Sequence, residues 1–143
     1  MAAEIVRGNA RVVDGAMVVD GRRIHILDVD APENAQLCFR KAQVIANSAW
    51  RCGLQAAHAL SDWIGDQTVT CDTMGRGPRK AWLARCAVAG EDVGEWLAAK
   101  GWAVPSLRCK CEVVRNATDT AKAAQIGIWS SNFTMPWDWR KAH

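Results

Sequence analysis

The sequence predicts an α+β fold, a small five-stranded β-barrel carrying about three helices. Three observations predict it. Two Asp-Gly pairs separate β-branched runs near the N-terminus. Apolar residues at helical spacing follow later in the chain. The elements come in blocks (three strands, a helix, two strands, two helices) with no alternation of single strands and helices.

Ala10–Val13, Met17–Val19 and Arg22–Leu27 read as strands, separated by Asp14-Gly15 and Asp20-Gly21. Asp-Gly tolerates the positive φ that tight hairpins demand, so three strands are expected over about residues 8–29. Asp30-Ala31-Pro32-Glu33 closes this meander. Proline cannot donate to a ladder and turns the preceding residue away from helix. Ala35–Ser48 is loosely helical in pattern. Leu54, Ala57, Leu60, Trp63 and Ile64 recur at helical spacing, with Gly65 as the stop. Thr68–Cys71 is expected as the fourth strand. The Gly-, Pro- and Arg-rich stretch Thr73–Lys80 is expected as a loop, and Ala81–Val88 as the fifth strand. Asp92 can cap a helix through Val93, Trp96, Leu97 and Lys100, ended by Gly101. Residues 105–111 read as irregular. A last helix spans Val113–Gln125, and Trp137 and Trp139 of the tail are expected to pack back onto the barrel.

The 143 residues read as a single domain, with barrel and helices over about 8–129 and a Trp-rich tail over 130–143. Eight tryptophans in a chain this size are expected mostly in the core. A net charge of +3 permits contact with phosphate, but a solvated mixed surface explains it as well. No apolar run approaches the ~18 residues of a membrane span, so no membrane partner is expected. Met1–Ile5 has neither the basic nor the apolar region of a signal peptide. Two expectations follow: a cytosolic protein, or a chain beginning after a removed leader and hence secreted or periplasmic. The six cysteines form no zinc-spaced pairs. Cys109-Lys110-Cys111 is too thin for a metal site, and its close spacing argues against a ring disulfide.

In order along the chain, Val12-Val13-Asp14-Gly15, Ile24 to Asp30, and Asp30-Ala31-Pro32-Glu33 resemble the opening of staphylococcal-nuclease-like (thermonuclease) domains. Gly90 to Leu97 with Lys100-Gly101-Trp102-Ala103 resembles that family's helix after the barrel. Gly127-Ile128-Trp129 resembles its closing motif, and Pro136 to Arg140 the tail of secreted bacterial members. The resemblance covers about residues 8–140. It implies an OB-fold barrel, a shape that commonly binds single-stranded nucleic acid.

Active members are calcium-dependent phosphodiesterases. They need carboxylates and a carbonyl on the cation, cationic donors on phosphate, and a carboxylate to orient water. Carried over position by position, Asp30 matches a metal ligand, the Ala31 carbonyl another, and Glu33 the water-orienting group. Ala16 stands where the family has its other metal Asp, and a methyl group cannot coordinate calcium. His25 stands where the first phosphate Arg belongs, offering one neutral donor in place of a charged fork; a strand histidine serving only structure is the blander alternative. Counting nine residues back from Gly90 puts Ala81 at the second phosphate Arg. Arg76 and Arg79 in the neighbouring loop are candidates to replace it. An inactivating substitution at Ala16 alone would not account for His25 or Ala81.

In secreted relatives, cysteines at positions like Cys38, Cys52, Cys71 and Cys86 are common. The resemblance therefore implies bridges Cys38–Cys52 and Cys71–Cys86, with all-reduced thiols as the alternative. Three functions compete. The first is a catalytically impaired domain, a pseudoenzyme, that binds nucleic acid or a protein partner and needs no cofactor. The second is an active calcium-dependent nuclease on DNA or RNA that recruits Asp14, Asp28 or Arg79 around Asp30 and Glu33. The third is a structural module that makes contacts through its Trp-rich tail.

Overall fold

The computed structural model describes residues 4–41 and 48–143. Its main sheet has seven strands: β1 (Ile5–Gly8), β2 (Ala10–Val13), β3 (Ala16–Val19), β4 (Arg22–Ile26), β8 (Val69–Arg76), β9 (Trp82–Val88) and the short β10 (Glu91–Asp92). They are ordered β1-β8-β9-β4-β3-β2, with β10 on β9. Pairing is antiparallel except β4 with β9, where His25 sits opposite Leu83. Between them, β5 (Val29–Asp30) pairs β11 (Val104–Pro105). β6 (Cys38–Arg40) lies between β7 (Ala49–Trp50) and β12 (Ser131–Asn132). The helices are α1 (Cys52–Ile64), α2 (Val93–Ala99), α3 (Glu112–Ala124) and α4 (Pro136–Ala142). This is the expected OB-type α+β arrangement, with two small accessory sheets and a fourth helix in the tail.

The hairpins form where the Asp-Gly pairs place them. Asp14 and Gly15 both take positive φ (45° and 77°), as do Asp20 and Gly21 (49° and 72°). The sheet is longer than expected at two points. β1 pairs β8 through Ile5–Asp72 to Gly8–Val69; its short sequence carries no turn signal of its own. The fourth strand does not stop at Cys71. It runs to Arg76 across a bulge between Thr73 and Gly75, because Gly75 adopts φ 134°, closed to most side chains. A 3-10 turn, Pro78–Lys80, replaces the rest of the expected loop.

The helical expectation over Ala35–Ser48 fails in its first half. Asn34 and Ala35 turn, and Cys38–Arg40 is strand. Two tertiary partners override the local pattern, the ladder with Ser131-Asn132 and the bridge to Cys52. Residues 42–47 of that stretch lie outside the described residues.

Bridges Cys38–Cys52 and Cys71–Cys86 are both present. Cys71 and Cys86 are direct cross-strand partners, the antiparallel geometry that admits a bridge. Contrary to expectation, Cys109 and Cys111 are bridged as well. Such bonds persist in oxidising compartments. Among the described residues no helix is long and apolar enough to cross a membrane.

The main core gathers Met17, Val19, Ile24 and Ile26 from the meander, Val69, Ala84 and Val88 from the β8–β9 pair, and Leu60, Ile64, Val93, Leu97 and Val114 from the helices. A second cluster joins Cys38, Cys52, Val104 and Ile128, with Trp137 packed on it. The tryptophans do not fill the core as expected. All eight are half-buried, since a ring this large is rarely enclosed completely. They rim it instead: Trp63 stacks on Trp96 with centroids 4.3 Å apart, and Trp50 meets Trp102 edge-on.

Candidate functional site

Five separate segments converge on one cleft. It is lined by Asp14 and Gly15 from the β2–β3 turn and Ala16 at the start of β3, Arg23 and His25 from β4, and Asp30, Ala31 and Glu33 from the proline corner. Arg79 and Ala81 from the β8–β9 connection and Arg140 from α4 complete it. The space left between them is about 30 Å³, room for a water-sized occupant.

Local chemistry explains the convergence. A Cβ on Gly15 would lie 3.1 Å from the Ala31 carbonyl oxygen, so the hairpin turn sits close against the corner. The Asp14 carboxylate accepts the Asn34 backbone N–H at 3.2 Å, tying the two together. Gly53 fixes the other side: a Cβ there would be 1.7 Å from the Glu33 carbonyl oxygen, so only glycine lets α1 approach the corner. On β4, Arg23 and His25 are two residues apart and share a face.

Asp30 is 7% exposed and does not stand alone. Arg140 grips it with both arms of its guanidinium, Nη1 to Oδ1 at 3.0 Å and Nη2 to Oδ2 at 2.5 Å. The Arg140 Nε also lies 3.6 Å from Glu33 Oε2, which accepts from Arg79 Nη2 at 3.2 Å. These contacts hold the Arg140 guanidinium more firmly protonated than usual, chiefly through its hydrogen bond to Asp30. His25 moves the other way. Burial pushes its pKa down, the Asp30 carboxylate pulls it up less, and Arg140 and Arg23 push it further down. It is therefore a neutral imidazole at neutral pH.

Of the residues singled out in the sequence, Asp14, Ala16, His25, Asp30, Ala31, Glu33, Arg79 and Ala81 meet in this cleft. Arg76 does not. Its guanidinium lies 3.6 Å from the centroid of Trp82 and donates to the Lys80 carbonyl. Asp28 also lies away from the cleft, paired with Arg85 at 3.0 Å. Two residues went unrecognised. Arg23 was legible from its i, i+2 spacing to His25. Arg140 carried no such signal, because 110 residues separate it from Asp30. Trp137 brings it in by docking α4 on the second cluster, and the Gln36 side chain holds the Thr134 carbonyl just before that helix at 2.6 Å. Trp139, expected on the barrel, stacks on His143.

A family model described as staphylococcal nuclease homologue matches residues 23–131. The chain is also 34% identical over 131 residues to the succinoglycan biosynthesis protein ExoI of Rhizobium meliloti (strain 1021). That match covers 90% of this chain and 66% of the relative, which is the longer protein.

Proposed function

We propose that this chain, which belongs to the family of staphylococcal nuclease homologues, binds an anionic polymer, single-stranded nucleic acid foremost, without a metal and without cleaving it. One observation carries the reading: both oxygens of Asp30 are held by Arg140, opposite the methyl group of Ala16. Calcium takes 6–8 oxygen ligands. Here Ala16 supplies none and Asp30 already accepts two charge-assisted hydrogen bonds. A fixed guanidinium beside the same carboxylate repels a second cation. The residues present do not fit the ion.

Binding has a surface to use. Arg22 and Arg76 both lie over the Trp82 ring, at 5.8 and 3.6 Å from its centroid. Arg23 and Arg79 add cationic groups in the cleft, on the other face of β4 from Arg22. Cations set around an aromatic ring suit a phosphate backbone with stackable bases. A secreted or periplasmic setting agrees with three bridged cysteine pairs.

The test is to incubate the protein with single-stranded and duplex oligonucleotides, in calcium and then in chelator. Binding in chelator without cleavage in calcium is expected. The single-strand affinity should fall with salt at a log–log slope of about −0.7 per phosphate engaged. Calcium-dependent cleavage would overturn the proposal in favour of an active phosphodiesterase. Neither binding nor cleavage would leave a structural module. The relative named for succinoglycan biosynthesis favours a second reading, a glycan as the polymer, and the same titration against an extracellular polysaccharide decides between them.

A further inference from the structure

We propose that Cys109-Lys110-Cys111 is a thiol–disulfide exchange site, opened by a dithiol reductant while the other two bridges stay closed. The first reason is access. Cys38, Cys52, Cys71 and Cys86 are each at most 1% exposed, whereas Cys109 is 8% exposed and Cys111 is half-buried at the start of α3. Cys111 is thus the least enclosed of the six, while Cys38, Cys52, Cys71 and Cys86 lie inside the two cores.

The second reason is ring size. The Cys109–Cys111 bridge spans a separation of 2, against 14 and 15 for the others. A bridge restrains the unfolded chain less as its loop shortens. By that relation alone the short one should be about tenfold easier to reduce.

The third reason is the setting of the leaving group. The Cys111 backbone N–H points at Cys109 Sγ from 3.1 Å, so a thiolate released there gains a donor at once. Cys111, the sulfur released in the second exchange, is the N-cap of the 13-residue α3, where the helix dipole favours negative sulfur. Lys110 and Arg108 flank the pair in sequence, and Arg115 anchors the Cys109 carbonyl with donors at 3.0 and 2.6 Å. A carboxylate oxygen of Asp28 and both sulfurs all lie within 4.8 Å of one another. Arg85 offsets its charge from 3.0 Å.

The step balances as an ordinary exchange. One thiolate of the dithiol attacks Cys111 Sγ. The bond to Cys109 breaks, and Cys109 leaves as thiolate. The reductant's second thiol then attacks its own sulfur in the mixed disulfide and releases Cys111. Two electrons and two protons pass from the dithiol to the cysteine pair, and the reductant departs as its disulfide.

The experiment equilibrates the oxidised, folded chain in buffers of reduced and oxidised dithiothreitol. Free thiols are then trapped with an alkylating agent and located by peptide mass spectrometry. Cys109 and Cys111 should be alkylated together, at a reduced-to-oxidised ratio at least about tenfold lower than the other four, with circular dichroism unchanged. Opening of all three bridges over one range would overturn the proposal. So would alkylation of Cys109 and Cys111 before any reductant is added.

Discussion

Arg140→Ala removes the guanidinium that holds Asp30 and leaves a carboxylate, 7% exposed, without its fork. Breaking a fully buried pair from one side costs ~3–5 kcal/mol. The pair here is less enclosed, with side-chain exposures of 25% for Arg140 and 9% for Asp30. Water can partly replace the lost partner, so a loss of ~2–3 kcal/mol is expected, in line with hydrogen bonds to charged groups. In urea that should lower the unfolding midpoint by about 1 M. The assay is a double-mutant cycle with Asp30→Ala under non-reducing conditions, so that the bridges constrain every unfolded state alike. A coupling energy of at least ~1.5 kcal/mol is expected. A single-mutant loss below ~0.5 kcal/mol, or single losses that simply add, would refute the view that Arg140 neutralises this site. The same variant tests the metal argument. Ala16→Asp alone should gain no calcium-dependent thermal stabilisation, because Arg140 still occupies Asp30. Ala16→Asp with Arg140→Ala should gain it.

Gly53→Ala should destabilise the fold by ~2 kcal/mol or more, since a Cβ 1.7 Å from the Glu33 carbonyl forces α1 or the proline corner to move. Gly53 has no positive φ, so a thermal midpoint equal to the parent's would show the close approach to be unimportant. His25 has a native pKa below its ordinary value, so the unfolded chain binds more protons between the two values. Its contribution to stability is complete above about pH 6.5 and shrinks as pH falls toward the native pKa. Urea midpoints between about pH 7.5 and about pH 5 should therefore drop more steeply for the parent than for His25→Gln. Parallel curves would contradict the assignment of a buried neutral imidazole.

Much of the site was legible because its residues sit at turns and corners whose chemistry is local. Asp14-Gly15 can form a tight hairpin on its own, and Pro32 ends a ladder wherever it occurs. The strand period puts Ala16 and His25 on definable faces. The strands and turns came from these features, whereas Ala16, His25, Asp30, Ala31, Glu33 and Ala81 were matched to site positions by resemblance to the family's ordered motifs. Expectation failed where distant partners outbid local pattern. Ala35–Ser48 looked helical, yet Cys38–Arg40 is held as strand by Ser131-Asn132 and by Cys52. The Gly-rich stretch after Cys71 looked like loop, yet β9 supplies a ladder that carries it through the Gly75 bulge to Arg76.

The sequence by itself determined the meander and the main helices, and that Ala16, His25 and Ala81 carry neither a carboxylate nor a guanidinium. Each is a property of one residue or a few neighbours. Tertiary structure alone decided what those gaps became. The docking of α4 through Trp137 places a guanidinium on Asp30, across 110 residues of chain. A charge pair that far apart leaves no periodicity or spacing to read, because it exists only once the barrel, the second core and the tail have packed together.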